Sequence, residues 1–393
     1  MESWQLPEHI ADVLASDALY LERMRSLLLH LFYTHGYQLI FPPLIEYAET
    51  LLINKKDEGL KKRTIYFTDQ LSGALLGVRA DTTPQISRID AHLSKNGELR
   101  RFCYAVPSLH ALPSSLFANR EPLQVGAELF GLKSVKADLE IINLMLETVS
   151  LLVPKKVLLS ISHVGIFNNL AEKAKLGAET KEKIASLVRS KNISSLKKLV
   201  NQLNLPHKQQ ALFLLLPQLY GEGDVVLKKA EQYLPSSLPI KKALQEVSAV
   251  LNFFKDISVY VDLAELPTDH YHTGLLYSVY LDNWSKPLVR GGRYTGFSAQ
   301  SRAEGRSASG FSLDLKDFLR DAPSNQVQEA IAVALKNYHQ AKSFIQKLRE
   351  SGKIVAVDYQ ETGKDPGLHF VQKIVRKNGT WTLMALEKEE DGE

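Results

Sequence analysis

Apolar residues first recur at helical spacing at Met24, Leu27, Leu28, Leu31 and Phe32, which predicts an amphipathic helix over roughly residues 18–33. Gly36 follows as its C-terminal stop. Tyr37–Phe41 then reads as a strand ended by Pro42 and Pro43, and Glu46–Leu52 as a short returning helix. Thr64–Thr68 and Leu75–Arg79 read as a hairpin around Ser72-Gly73. A helix from Pro84 to Ser94 should bury Ile86, Ile89 and Leu93. Arg101–Val106 and Pro122–Leu129 are predicted strands, separated by a loop over Ala111–Asn119. The next helix places Ile141, Leu144, Met145, Thr148 and Leu152 on one face, and Val157–Ser162 is again a strand.

From about Gly165 to Lys255 the pattern turns wholly helical, which reads as an inserted helical subdomain. Strands resume at Ser258–Leu263, Leu275–Leu281 and Ser309–Leu313. The expectation is an α+β core of residues 1–320, an antiparallel sheet flanked by helices. Asp321–Gln326 (DAPSNQ) reads as a linker to a small C-terminal α/β domain over 327–393. There a strand (Ile331–Leu335), a helix (Tyr338–Glu350) and a strand (Lys353–Tyr359) precede a hairpin turning at Asn378-Gly379. The tail EKEEDGE is expected to fray.

The 393 residues are 45% hydrophobic and 23% charged, ordinary for a globular protein of two or three domains. A net charge of +4 is weak support for a polyanion partner. Cys103 is the single cysteine, so no internal disulfide forms; in its apolar run it reads as a buried small hydrophobe rather than a nucleophile. No apolar run approaches the ~20 residues of a membrane span. The start, MESWQLPEHI, lacks a signal-peptide pattern, so the expectation is cytoplasmic. Asn54–Arg63 (NKKDEGLKKR) reads as a solvated loop before it reads as a nucleic-acid contact. Walker, zinc, nucleophile-elbow and GxGxxG patterns are missing. Asp269, His270 and His272 are close in sequence, but neighbours on a strand point opposite ways, so no metal is expected.

The informative stretch is Arg79–Gly131. Alternation along Pro122–Leu129 puts Leu123, Val125, Ala127 and Leu129 on one face and Gln124, Gly126 and Glu128 on the other. Gly126 leaves room for a ligand or a close backbone. Asp81 lies where a strand gives way to a helix. Residue types alone favour a bland account: Asp81 or Thr82 caps the helix opened by Pro84, and Glu128 pairs with a nearby arginine. The sharper account is an acidic pocket of Asp81, Gln124 and Glu128 for a ligand with an amine and a second proton-bearing nitrogen, such as histidine.

The order of these segments resembles a class II aminoacyl-tRNA synthetase core, that of histidyl-tRNA synthetase, over roughly residues 1–320. His35–Leu52 is similar to its first motif, which in that family builds a dimer interface. VRADTTP, FANREPLQVGAELFG, DHYHTG (Asp269–Gly274) and RGGRYTG (Arg290–Gly296) are similar to its histidine-site segments. The resemblance implies histidine contacts at Asp81, Thr83, Gln124, Glu128, Tyr271, His272 and Tyr294. It departs where ATP would be held. His110 stands at the second-motif arginine, Lys316 and Asp317 at the third-motif arginine, and Leu266-Pro267-Thr268 at a further catalytic arginine. Losing one such donor typically costs ~3 kcal/mol of transition-state stabilisation. This combination resembles the regulatory subunits of ATP phosphoribosyltransferase, synthetase paralogues without their own catalysis. The resemblance implies a homodimer through the first motif, a hetero-octamer with short-form catalytic subunits, and feedback inhibition by histidine in the first step of histidine biosynthesis. It implies no cofactor, metal, nucleic acid or membrane partner. Competing accounts are a working histidine–tRNA ligase and a tRNA-binding sensor. The loop Pro107–Arg120 reads equally as a subunit contact or a plain surface loop.

Overall fold

A computed structural model describes residues 4–52, 58–93, 98–113, 115, 118–153, 155–268, 272–282, 284, 286–297, 305–321, 328–360, 364–365 and 367–386. Contacts divide them into two compact units, one of residues up to 13 and 20–321, the other of residues 14–19 and those from 328 on.

Helix α1 (Ala15–Thr34) ends as its pattern requires. Gly36 takes φ 81°, and the Tyr37 N–H reaches back to the Phe32 carbonyl at 3.0 Å. Strand β1 is only Gln38–Leu39. The predicted Glu46–Leu52 helix is shorter: Ile45–Tyr47 is strand β2 and α2 is Ala48–Leu51. Paired to β4, the β-branched and aromatic side chains of β2 override its helical reading. The basic stretch is also corrected. Residues 54–57 lie outside the described ones, but Glu58–Arg63 forms helix α3. Strands β3 (Ile65–Thr68) and β4 (Leu75–Val78) pair antiparallel around Gly73, at φ 70°.

Helix α4 (Thr83–Leu93) buries Ile86, Gln85, Ser87 and Asp90, whereas Leu93 is exposed, against expectation. Its buried polar side chains are partnered: Gln85 donates to the Pro43 carbonyl and Glu46, Ser87 accepts from the Phe297 N–H, and Asp90 pairs with Arg306. Then follow β5 (Arg100–Pro107), β6 (Leu123–Phe130), α5 (Val135–Leu152) and β7 (Val157–His163). The next stretch holds α6 (Val164–Lys173), α7 (Ala178–Arg189), α8 (Ile193–Gln202), α9 (His207–Leu215), α10 (Gly223–Tyr233) and α11 (Leu238–Phe253). It is not wholly helical: β8 (Tyr220–Glu222) pairs with β9 (Val259–Asp262). Its apolar residues join those of the sheet in one core. Strands β10 (His272–Leu281), β11 (Val289–Thr295) and β12 (Ser307–Asp314) complete the sheet. β11 escaped the pattern because Gly291, Gly292 and two arginines break its apolar alternation.

The nine strands run in the order β1-β5-β6-β12-β11-β10-β7-β9-β8. The sheet is mainly antiparallel, with β1–β5 and β7–β9 parallel. Its two faces differ. On the rear, Val125, Ala127, Leu129, Ile161, Tyr277, Val279 and Phe311 join α5, α6, α11 and the Leu28–Phe32 part of α1. The front carries α4 and a small apolar group of Ile86, Phe102, Tyr104, Phe130 and Tyr294. Period-2 alternation thus delivers β6 as expected: grease behind, Gln124 and Glu128 in front.

The second unit holds β13 (Gln328–Ala334), α12 (Leu335–Tyr338), α13 (Lys342–Glu350), β14 (Val355–Asp358), β15 (Lys364–Asp365), β16 (Leu368–Lys377) and β17 (Thr380–Ala385). β13 runs parallel to β14 and β16, and α13 buries Ile345 against Ile331, Val333 and Ile374. The β16–β17 turn has positive φ at both Asn378 (48°) and Gly379 (80°), the reason for that residue pair. Most of the predicted linker and the tail from residue 387 lie outside the described residues.

Candidate ligand-binding site

The front of the sheet opens into a cavity of about 770 Å³. Register fixes what projects into it. Glu128 on β6 lies opposite Gly310 on β12, which lies opposite Gly292 on β11 and then Leu276 on β10. One step along, the row is Tyr104, Gly126, Ser312, Arg290, Ser278 and Ser160. The floor glycines make room for neighbouring side chains. A Cβ at Gly126 would strike the Tyr104 phenol, one at Gly310 the Glu128 carboxylate, and one at Gly292 the His272 ring. The space at Gly126 is therefore taken by the Phe311 carbonyl of β12 and the Tyr104 phenol: a close backbone, one of the two expected occupants, together with a side chain.

Glu128 is only 2% exposed. No arginine pairs with it among the described residues. Hydroxyls surround it instead: Tyr294 Oη donates to Oε2 at 2.9 Å and Thr83 Oγ1 donates to Oε1 at 3.1 Å. Tyr104 Oη lies at 3.5 Å. Burial raises its pKa to about 8, against the pull of the Tyr294 and Thr83 hydroxyls. A neutral carboxyl group held this way is ready to give its proton to, or ionise against, an incoming basic nitrogen.

Asp81 and Gln124 form the second part. Gln124 Nε2 donates to Asp81 Oδ1 at 2.9 Å, and the Thr83 N–H donates to the same oxygen at 3.1 Å. Asp81 therefore does stabilise the start of α4, while its carboxylate still lines the cavity. The Thr82 N–H and Oγ1 and the Ser108 Oγ converge on Gln124 Oε1 at 2.9, 2.7 and 3.1 Å. With its oxygen saturated, Gln124 is held with its amide group toward Asp81. Of the sequence-predicted residues, Asp81, Thr83, Gln124, Glu128 and Tyr294 share this network. His272 lines the same cavity, and Tyr271 lies outside the described residues. Sequence reading missed Thr82, Tyr104 and Ser108. Of these only Tyr104 left a trace: strand alternation on β5 aims it at the front.

The stretch similar to an ATP site has other uses. The His110 Nε2 sits 3.0 Å from the Ala80 carbonyl, and burial with the Arg63 charge lowers its pKa, so it is a neutral imidazole. Asp317 is paired at 2.8 Å with Lys286. Asp314 is raised to about 6 by burial and the Asp317 charge. The carbonyls of Leu266 and Pro267 accept from Arg189 at 2.9 Å each. The described residues contain no group of acids, histidines or cysteine placed to hold a metal, and no helix long and apolar enough to cross a membrane.

A mainly antiparallel sheet with this front-face cavity and a rear helical layer is the class II synthetase architecture, of the histidyl-tRNA synthetase kind. The histidyl-tRNA synthetase family model matches residues 9–318. An ATP phosphoribosyltransferase regulatory subunit from Neisseria meningitidis is 42% identical over 385 residues, 98% of this chain and 100% of that one. A Bacillus halodurans structure described as an ATP phosphoribosyltransferase regulatory subunit/histidyl-tRNA synthetase superposes with a TM-score of 0.81 at 22% identity, covering 94% of this chain and 98% of that one. A chain of the ATP phosphoribosyl transferase complex from Thermotoga maritima superposes with a TM-score of 0.57 at 20% identity, covering 77% and 98%. The chain belongs to the ATP phosphoribosyltransferase regulatory subunits, non-catalytic relatives of the synthetase.

Proposed function

We propose that this subunit binds free histidine in the front cavity and conveys its presence to a short-form ATP phosphoribosyltransferase catalytic subunit. The observation that carries this reading is the buried Glu128 carboxyl, ringed by Thr83 and Tyr294 hydroxyls and adjoining the Asp81–Gln124 pair. An imidazole N–H meets Glu128, and the α-amine meets Asp81, with His272 lining the same cavity; a contact from Tyr271 is part of the same reading. Histidine would inhibit only by favouring a less active arrangement of the complex, because equal affinity for two states shifts neither. The assembly in this reading is a cytoplasmic hetero-octamer, with regulatory dimers formed through residues 35–52. Its task is the first step of histidine biosynthesis. The core is residues 1–320 with the insertion at 165–255, and 327–393 is the small second domain. No cofactor or metal is required.

The chain itself should not form an aminoacyl-adenylate. A neutral His110 and a carboxylate at 317 supply none of the fixed positive charge that triphosphate chemistry needs. The test is co-expression with a short-form catalytic subunit and an assay of phosphoribosyl-ATP formation with and without histidine. Histidine should inhibit the wild-type complex, and the Glu128→Ala complex should be active but resistant. Equal inhibition of both complexes refutes the pocket. Histidine-dependent ATP–pyrophosphate exchange by the isolated chain refutes the non-catalytic reading.

A further inference from the structure

An amino acid brings a carboxylate as well as an amine, and the groups described so far offer that carboxylate no cation. Among the described residues, the Arg and Lys side chains lining the cavity are Arg63, Arg189 and Arg290. Arg189 is committed to two backbone carbonyls and to Glu182. Arg79, close by in sequence, is buried and gives its N–H groups to the carbonyls of Pro42, Pro43 and Pro107 and to Gln85. Arg120 is bound to the His110 and Glu8 carbonyls. The guanidinium groups of Arg63 and Arg290 remain, without a hydrogen bond or ion pair to any described residue.

Position separates these two. The Arg63 carbonyl, at the end of α3, accepts the Ala111 N–H at 2.7 Å, which ties α3 beside His110. Arg63 and Asp81 both line the cavity, and the charges of both act on the same His110 imidazole. Arg290 rises from the floor between Ser278 and Ser312, where its charge acts on the buried Glu265. In an α-amino acid the amine and the carboxylate share one carbon. The cation for the carboxylate must therefore stand beside the acid that takes the amine, and that acid is Asp81.

We propose that Arg63, at the end of helix α3, binds the α-carboxylate of the ligand. The assignment rests on the histidine reading above and adds the residue that makes the pocket select an amino acid over its decarboxylated amine. A guanidinium suits this task because its fork matches the two carboxylate oxygens.

Calorimetric titration of histidine and histamine into the full chain tests it. The wild type should prefer histidine, and Arg63→Ala should weaken histidine by about tenfold or more with histamine unchanged. Arg63→Lys should recover part of the preference, and Arg290→Ala should keep it. The unfolding temperature of Arg63→Ala should match the wild type, because the guanidinium makes no hydrogen bond or ion pair to a described residue. Three results overturn the assignment while leaving the pocket standing: equal binding of the two ligands by the wild type, an undiminished preference in Arg63→Ala, or its loss in Arg290→Ala. A wild type that takes up neither ligand refutes the pocket itself, and the role of Arg63 with it.

Discussion

Replacing Glu128 by glutamine should make the protein more stable at alkaline pH and leave it nearly unchanged in mild acid. Burial holds the Glu128 carboxyl at about 8 against 4.5 for an ordinary glutamate. Between those values the folded chain keeps a proton that the unfolded chain releases, so stability falls as pH rises through the interval. The fall should amount to about 3 kcal/mol between about pH 5.5 and about pH 8.5. Glutamine has the shape of the protonated acid; its oxygen accepts from one of the Tyr294 and Thr83 hydroxyls and its amide nitrogen donates to the other, and it has no charge to desolvate. Urea unfolding of the two proteins across that range reads the difference directly, because all other titrating groups are shared and cancel. Glutamine should gain on the wild type by the stated amount as pH rises. A difference that stays flat with pH, or a wild type that gains instead, would show that Glu128 is ionised in the free protein and would remove the physical basis of the proposed recognition.

Behind the sheet, Arg293 pairs with Asp138 and, at 2.9 Å, with Glu246, which burial opposes but His163 and Arg293 together pull down to about 2. Arg293→Met leaves two buried carboxylates without their cation and should destabilise by about 3–5 kcal/mol, measured by thermal unfolding; an unchanged melting temperature would show the network to be energetically idle. Cys103 is 1% exposed with its pKa pushed by burial to about 12, so a thiol reagent should label it only after denaturation. Rapid labelling of native protein would contradict its placement in the core.

Helix α1 and strand β6 were legible because each obeys one clean period, and β6 alone placed Gln124 and Glu128 on the correct face. β11 was not, since its glycines exist to clear space for Tyr277, His272 and Leu276, which no local pattern reports. The expected arginine partner for Glu128 failed for a similar reason. Arginines near it in the sequence are engaged elsewhere, Arg79 on carbonyls and Arg101 on Glu140 at 2.7 Å. Ser108 and Thr82 enter the site through the folding of β5 against β6 and the start of α4, a long-range fact that spacing along the chain does not carry. Arg63 was concealed in a run of charge that looked like solvent-facing loop, and the described part of that run, Glu58–Arg63, is helix, with Gly59 and Arg63 at the cavity wall.

Gly310 has a consequence out of proportion to its size. Its bare α-carbon is the ledge on which the Glu128 carboxylate rests, and the smallest side chain there would evict it. An alanine scan should therefore rank Gly310 among the most sensitive positions for effector binding, although it offers the effector nothing to hold. Changes of specificity must come through other positions of the chamber, because this one admits no side chain.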